Sequence, residues 1–109
     1  MIQVYVKRKS ENIISYEISG HAMSGTYGHD IVCSAVSVLS ITTANNLERM
    51  ADISPITEMR EGYLYVELPK DLTSEQEKTA QILLTAFVGA IKEVADEYSK
   101  FIQLKENKE

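Results

Sequence analysis

Apolar and polar residues alternate from the first residues of the chain. In "IQVYVKR", residues 2–8, Ile2, Val4 and Val6 fall on one side and Gln3, Tyr5 and Lys7 on the other. A period of two marks a strand half-covered by a core. The polar cluster "KSEN" then turns the chain, and "NIISYEI", residues 12–18, predicts a second strand. Residues 19–29 carry Gly20, Gly25 and Gly28 with Ser19, Ser24 and Thr26 between them and read as a loop. From Asp30 the period changes. Val32, Ala35, Val36, Leu39, Leu47 and Met50 recur at helical spacing with no Gly or Pro before Pro55, which predicts a helix over 30–51. Its middle, "SVLSITTANN", holds poor helix formers, so this helix needs tertiary packing and is expected to be largely buried.

A second hairpin is predicted over 56–60 and 63–68, turning near Glu61-Gly62, with Leu64, Val66 and Leu68 on its apolar side. Pro69 closes it. Ser74 followed by Glu77 gives a capping-box pattern. Ala80, Leu83, Leu84, Phe87, Ile91, Val94 and Tyr98 then form one apolar stripe of a helix over 74–98. Ile82, Ala86, Val88 and Ala90 widen that face, and residues 82–90 are expected to contribute to a subunit interface, with Val88 inside it. The tail is expected to add a short edge strand at 101–104. The order ββαββα predicts a two-layer α+β domain over residues 1–109, an antiparallel sheet covered by two helices.

Composition narrows the function classes. The chain has 109 residues, 44% apolar and 25% charged, as soluble globular proteins do. It holds no apolar run long enough to span a membrane and no secretory signal at its start, and with a single cysteine the expected compartment is a reducing cytoplasm. A net charge of −5 disfavours direct nucleic-acid binding and suits a basic partner or plain solubility.

The chemistry is concentrated in "SGHAMSGTYGHDIVCSAVS", residues 19–37, which holds the only cysteine, both histidines and three of the five glycines. Cys33 is expected in the first turn of the first helix, with Asp30 placed as N-cap. Free backbone N–H groups and the helix dipole there would favour the thiolate, lower the thiol pKa and offer donors to an oxyanion. His21 can fold back across the glycine loop as base, and His29 is the competing base. The other readings are a small buried cysteine, a metal site from His21, His29, Asp30 and Cys33, an anion cradle at the glycines, and a peroxide-sensing thiol. The spacing matches no usual zinc pattern, and neither GxxxxGK[ST] nor GxGxxG is present. No metal or cofactor is expected.

"GHA" at 20–22, a gap, then "G-x-D-I-V-C-x-A-x-S" at 28–37 resembles the ribosomal-processing cysteine protease family of Firmicutes and relatives. The resemblance extends over the whole chain in length and element order. It implies a small α+β homodimer that removes the N-terminal extension of a large-subunit ribosomal protein near the peptidyl-transferase centre, cutting after an apolar, aromatic-containing stretch. On this resemblance the catalytic histidine falls on His21 and the nucleophile on Cys33, with Asp30, Ser37, Gly20 and Gly28 filling the remaining motif positions. His29 occupies a variable position. Asp30 is placed to cap the helix, to orient His21, or both; Ser37 supports the thiol or packs as a small residue. The alternative function is a non-enzymatic assembly factor that binds a ribosomal protein.

Overall fold

A computed structural model describes residues 1–20 and 27–109, with side chains described from residue 30 onward in the latter stretch. The elements follow in the order β1 (Ile2–Lys9), β2 (Asn12–Ser19), α1 (Tyr27–Ala51), β3 (Ile56–Arg60), β4 (Tyr63–Glu67), α2 (Ser74–Glu97) and β5 (Ile102–Lys108). The strands form one sheet in the order β3-β4-β2-β1-β5. The fold is α+β, and both predicted hairpins are present. The sheet is only mostly antiparallel: β5 pairs with β1 in parallel, from Ile2 opposite Ile102 to Arg8 opposite Lys108. The crossover through α2 imposes this. The helix returns the chain to the end where β1 begins, so the last strand runs alongside β1 and continues well past residue 104.

Alternation along the strands sorts the two faces. Val4, Val6, Tyr16, Ile18, Leu64, Val66 and Ile102 are buried in a single cluster with the inner sides of both helices. The opposite face carries Gln3, Tyr5, Glu17, Ser19, Tyr63, Tyr65 and Glu67. There the Tyr63 hydroxyl donates to Glu17 and the Tyr65 hydroxyl to Glu67. A sheet with one apolar face needs one covering layer, which the two helices supply. Tyr16 joins the layers. Its ring stacks on Phe87 at 4.3 Å between centroids, and its buried hydroxyl donates to the Ser40 carbonyl at 2.7 Å. At the β-bulge where β1 and β2 slip register, the Gln81 side chain stands in for a strand. It donates to the Ile13 carbonyl and accepts from the Ile13 N–H, both at 2.8 Å.

Four local expectations are corrected. First, α1 is not largely buried: Ile31, Val38, Ile41 and Met50 are exposed along one side. Its weak helix formers are accommodated by back-bonding, with Ser40 donating to the Val36 carbonyl and Thr43 to the Leu39 carbonyl. Second, Thr73 rather than Ser74 caps α2. Thr73 and Gln76 exchange both capping-box bonds, so the box starts one residue earlier than read. Third, Val88 is 3% exposed and belongs to the core, because the stripe through Leu84, Phe87 and Ile91 takes it in. Only Ile82 and Ala86 of the off-stripe residues stand exposed. The fourth concerns the start of α1 and falls at the site.

Candidate active site

The sheet end where β2 stops is crowded with backbone. Gly20 follows Ser19 with φ +81°, and a Cβ built there would stand 2.7 Å from the Met1 carbonyl oxygen. Both facts demand glycine. The Gly20 N–H donates to the Gly62 carbonyl at 3.0 Å, tying the end of β2 to the β3–β4 turn. The chain is therefore aimed rigidly up to residue 20. His21 comes next and lies outside the described residues, as does most of the expected loop.

The chain enters α1 at Tyr27, three residues before the expected start. Loop signals from Gly28 and the glycines before it outweighed helical continuity in the sequence pattern, but one glycine in a first turn is tolerated. Two consequences follow. Asp30 is in the first helical turn, not at the N-cap, where its charge still complements the helix dipole. Cys33 is in the second turn. Its own N–H is inside the i→i−4 ladder, and the N–H groups free of that ladder belong to the residues before Asp30, one turn earlier. The expected oxyanion donors beside the sulfur are displaced by that turn. Gly28 and His29 have helical backbone in α1, so His29 does not precede the helix as expected.

Asp30, Cys33 and Ser37, three and four residues apart, share one side of α1. Cys33 has 0% exposure and sits in the core cluster with Val32 and Val36. Burial pushes its thiol pKa up, and the Asp30 carboxylate adds to that by opposing a second negative charge; the Met1 amino group acts the other way. In this conformation burial and the Asp30 carboxylate raise the thiol pKa, the opposite direction to the lowering expected from a helix start. The Asp30 Oδ1 atom is buried with no hydrogen-bond partner among the described residues. An ionised carboxylate oxygen is costly to leave so. Ser37 is half-buried, and its carbonyl accepts a 3.3 Å bond from the Ser40 hydroxyl.

Sequence reasoning identified Gly20 as a loop glycine but missed its partners. Nothing in a linear pattern signals that the Gly62 turn and the Met1 carbonyl meet it. Among the described residues no group of three His, Cys, Asp or Glu side chains is placed to hold a metal.

Cys33, the residue type that a thiol protease uses as nucleophile, stands in the N-terminal part of a helix that covers a two-layer α+β scaffold. The family model described as "Cysteine protease Prp" matches residues 1–103, and the chain belongs to that family of cysteine proteases. The ribosomal processing cysteine protease Prp of Bacillus subtilis is 28% identical over 110 residues, covering 98% of each chain. That of Staphylococcus aureus is 27% identical over 105 residues, covering 95% of this chain and 97% of the relative. Among solved structures, SMU.848 from Streptococcus mutans superposes with a TM-score of 0.92 at 37% identity, covering 100% of this chain and 96% of that one. The Staphylococcus aureus Prp solved with a substrate peptide gives 0.85 at 23% identity over 97% of this chain and 99% of that one, a likeness of fold.

Proposed function

We propose that this chain is a cytoplasmic endopeptidase that removes the N-terminal extension of a large-subunit ribosomal protein by Cys–His acyl transfer. One observation carries the reading. A family model of cysteine proteases matches the chain from residue 1 to 103, and its single cysteine stands on α1 one turn from a buried carboxylate oxygen. The names of the Bacillus and Staphylococcus relatives support a ribosomal substrate. The net charge of −5 suits a basic client.

In the proposed reaction, Cys33 passes its proton to His21, and the thiolate attacks the scissile carbonyl carbon. His21 then protonates the departing amine as the C–N bond breaks, leaving a thioester on Cys33. Water, deprotonated by His21, attacks the thioester; the new carboxylate leaves and the thiol is regenerated. Cys33 is fully buried, so the conformation described here holds the nucleophile covered. Peptide binding must uncover it before attack. Among the described residues no helix is long and apolar enough to cross a membrane, which is compatible with a cytoplasmic client.

We also propose that the protein works as a homodimer. Exposed Ile82 and Ala86 line a groove beside α2, and Ala86 with exposed Val38 lines a second groove between α1 and α2; a second copy would cover these apolar positions. The test of function is incubation of the protein with the precursor ribosomal protein and location of the cut by mass spectrometry. A single new N-terminus following an apolar stretch is expected. An intact precursor after prolonged incubation would overturn the reading.

A further inference from the structure

β3 is an outer strand, paired only with β4. Its other edge presents backbone N–H and C=O groups that no described residue pairs. Natural sheets blunt such edges with prolines, bulges or inward charges. β3 has no proline and keeps unbroken register with β4 from Ile56 opposite Glu67 to Arg60 opposite Tyr63. All five of its residues are exposed, Met59 at 65%. The side of β3 that faces the helices carries Thr57 and Met59. With Ile41, Ala44 and Glu48 of α1 they line a groove of about 190 Å³ between strand and helix.

The charge of this groove is one-sided. Glu48 is the one charged side chain lining it among the described residues, and it makes no ion pair among them. The groove also leads toward the candidate nucleophile. α1 carries Cys33 eight residues before Ile41, roughly 12 Å along the axis at the helical rise. At its upper end β3 turns through Gly62, whose carbonyl holds the N–H of Gly20, the residue before His21.

We propose that the free edge of β3 and the groove between it and α1 form a docking site for an extended segment of the peptide substrate, outside the residues cut. The segment adds as a sixth strand. One apolar side chain enters the groove against Ile41, Ala44 and Met59, and a basic side chain two positions along meets Glu48. Strand addition supplies main-chain hydrogen bonds for affinity, and alternate side chains supply selectivity. An unpaired, regular edge recognises an extended chain, and an uncompensated carboxylate beside an apolar groove recognises one that is apolar and basic. The inference rests on the protease reading above.

The test uses Met59→Glu and Glu48→Lys, both at exposed positions away from the candidate catalytic residues, with unchanged urea midpoints as the control for folding. Two synthetic substrates are compared: the full precursor extension with its following residues, and a short peptide of the residues flanking the cut. Each variant is expected to raise KM for the long substrate about tenfold with kcat unchanged, a loss of about 1.4 kcal/mol. The short peptide should be cut identically by all forms. A long substrate N-methylated at alternate backbone positions in the docking segment should bind wild type as weakly as the long substrate binds the variants. Unchanged KM for the long substrate, equal losses on both substrates, or a wild-type dimer that the variants dissociate would each overturn the proposal; the last would assign the edge to a second copy. If wild type cuts neither substrate, the protease reading fails on its own. Binding of the long peptide to Cys33→Ala protein, with and without Met59→Glu, then decides the docking site separately.

Discussion

Asp30 and Cys33 lie one turn apart on the same side of α1, and the carboxylate of the first adds to burial in raising the thiol pKa of the second. A negative neighbour is an unexpected companion for a residue that must become a thiolate. It is intelligible if this conformation protects the nucleophile until peptide arrives.

Asp30→Asn keeps the shape and removes the charge. A negative neighbour disfavours the thiolate, so its removal lowers the Cys33 pKa, and alkylation by iodoacetamide is expected to begin at lower pH than in wild type. An alkylation profile that stays put or moves up in pH would show that the carboxylate does not act on the thiol.

Gly20→Ala is expected to destabilise the fold by at least the ~1–2 kcal/mol of a left-handed backbone, since its φ is +81°. The new Cβ would also press on the Met1 carbonyl, and the displaced residue 21 should reduce turnover beyond what stability explains. Unfolding midpoints within error of wild type would mean that this end of the sheet is more yielding than its geometry indicates.

The dependence on Gly20 shows where the sequence was legible. Period-two alternation in Ile2–Val4–Val6 and Leu64–Val66 located the strands, because a half-buried sheet writes its face directly into the chain. The candidate cysteine was legible for a similar local reason, a rare residue in a specific motif. What distant parts of the chain do to one another was not legible. The Met1 carbonyl excluding a Cβ at residue 20, β5 running parallel beside β1, and Gln81 completing the bulge at Ile13 all join residues far apart in sequence. The start of α1 was misplaced because the glycines imitate a loop while the tertiary fold continues the helix through Gly28. The complete burial of Cys33 was not legible either, since burial is a property of the folded core.

The two faces of α2 separate assembly from stability. Ile82 is 65% exposed, so Ile82→Glu should leave the urea midpoint near that of wild type while weakening self-association in sedimentation equilibrium. Val88→Glu buries a carboxylate in the core and is expected to unfold the protein rather than dissociate it. Monomeric wild type at tens of micromolar would end the dimer proposal.

His21→Ala is expected to lower turnover by about 10²–10⁴-fold, the usual worth of a general acid–base group, and His29→Ala far less. The reverse ranking in steady-state rates would transfer the base to His29, which the backbone places inside α1.

The central claim is that Cys33 is the nucleophile, and cleavage of the precursor ribosomal protein by folded Cys33→Ala protein tests it most directly. Removing one sulfur from a well-packed core should leave the circular dichroism spectrum and the ability to bind the extension unchanged. No cut product is expected in the mass spectrum at times when wild type has processed all of its substrate. Processing by the folded Cys33→Ala variant at a rate near that of wild type would contradict the account.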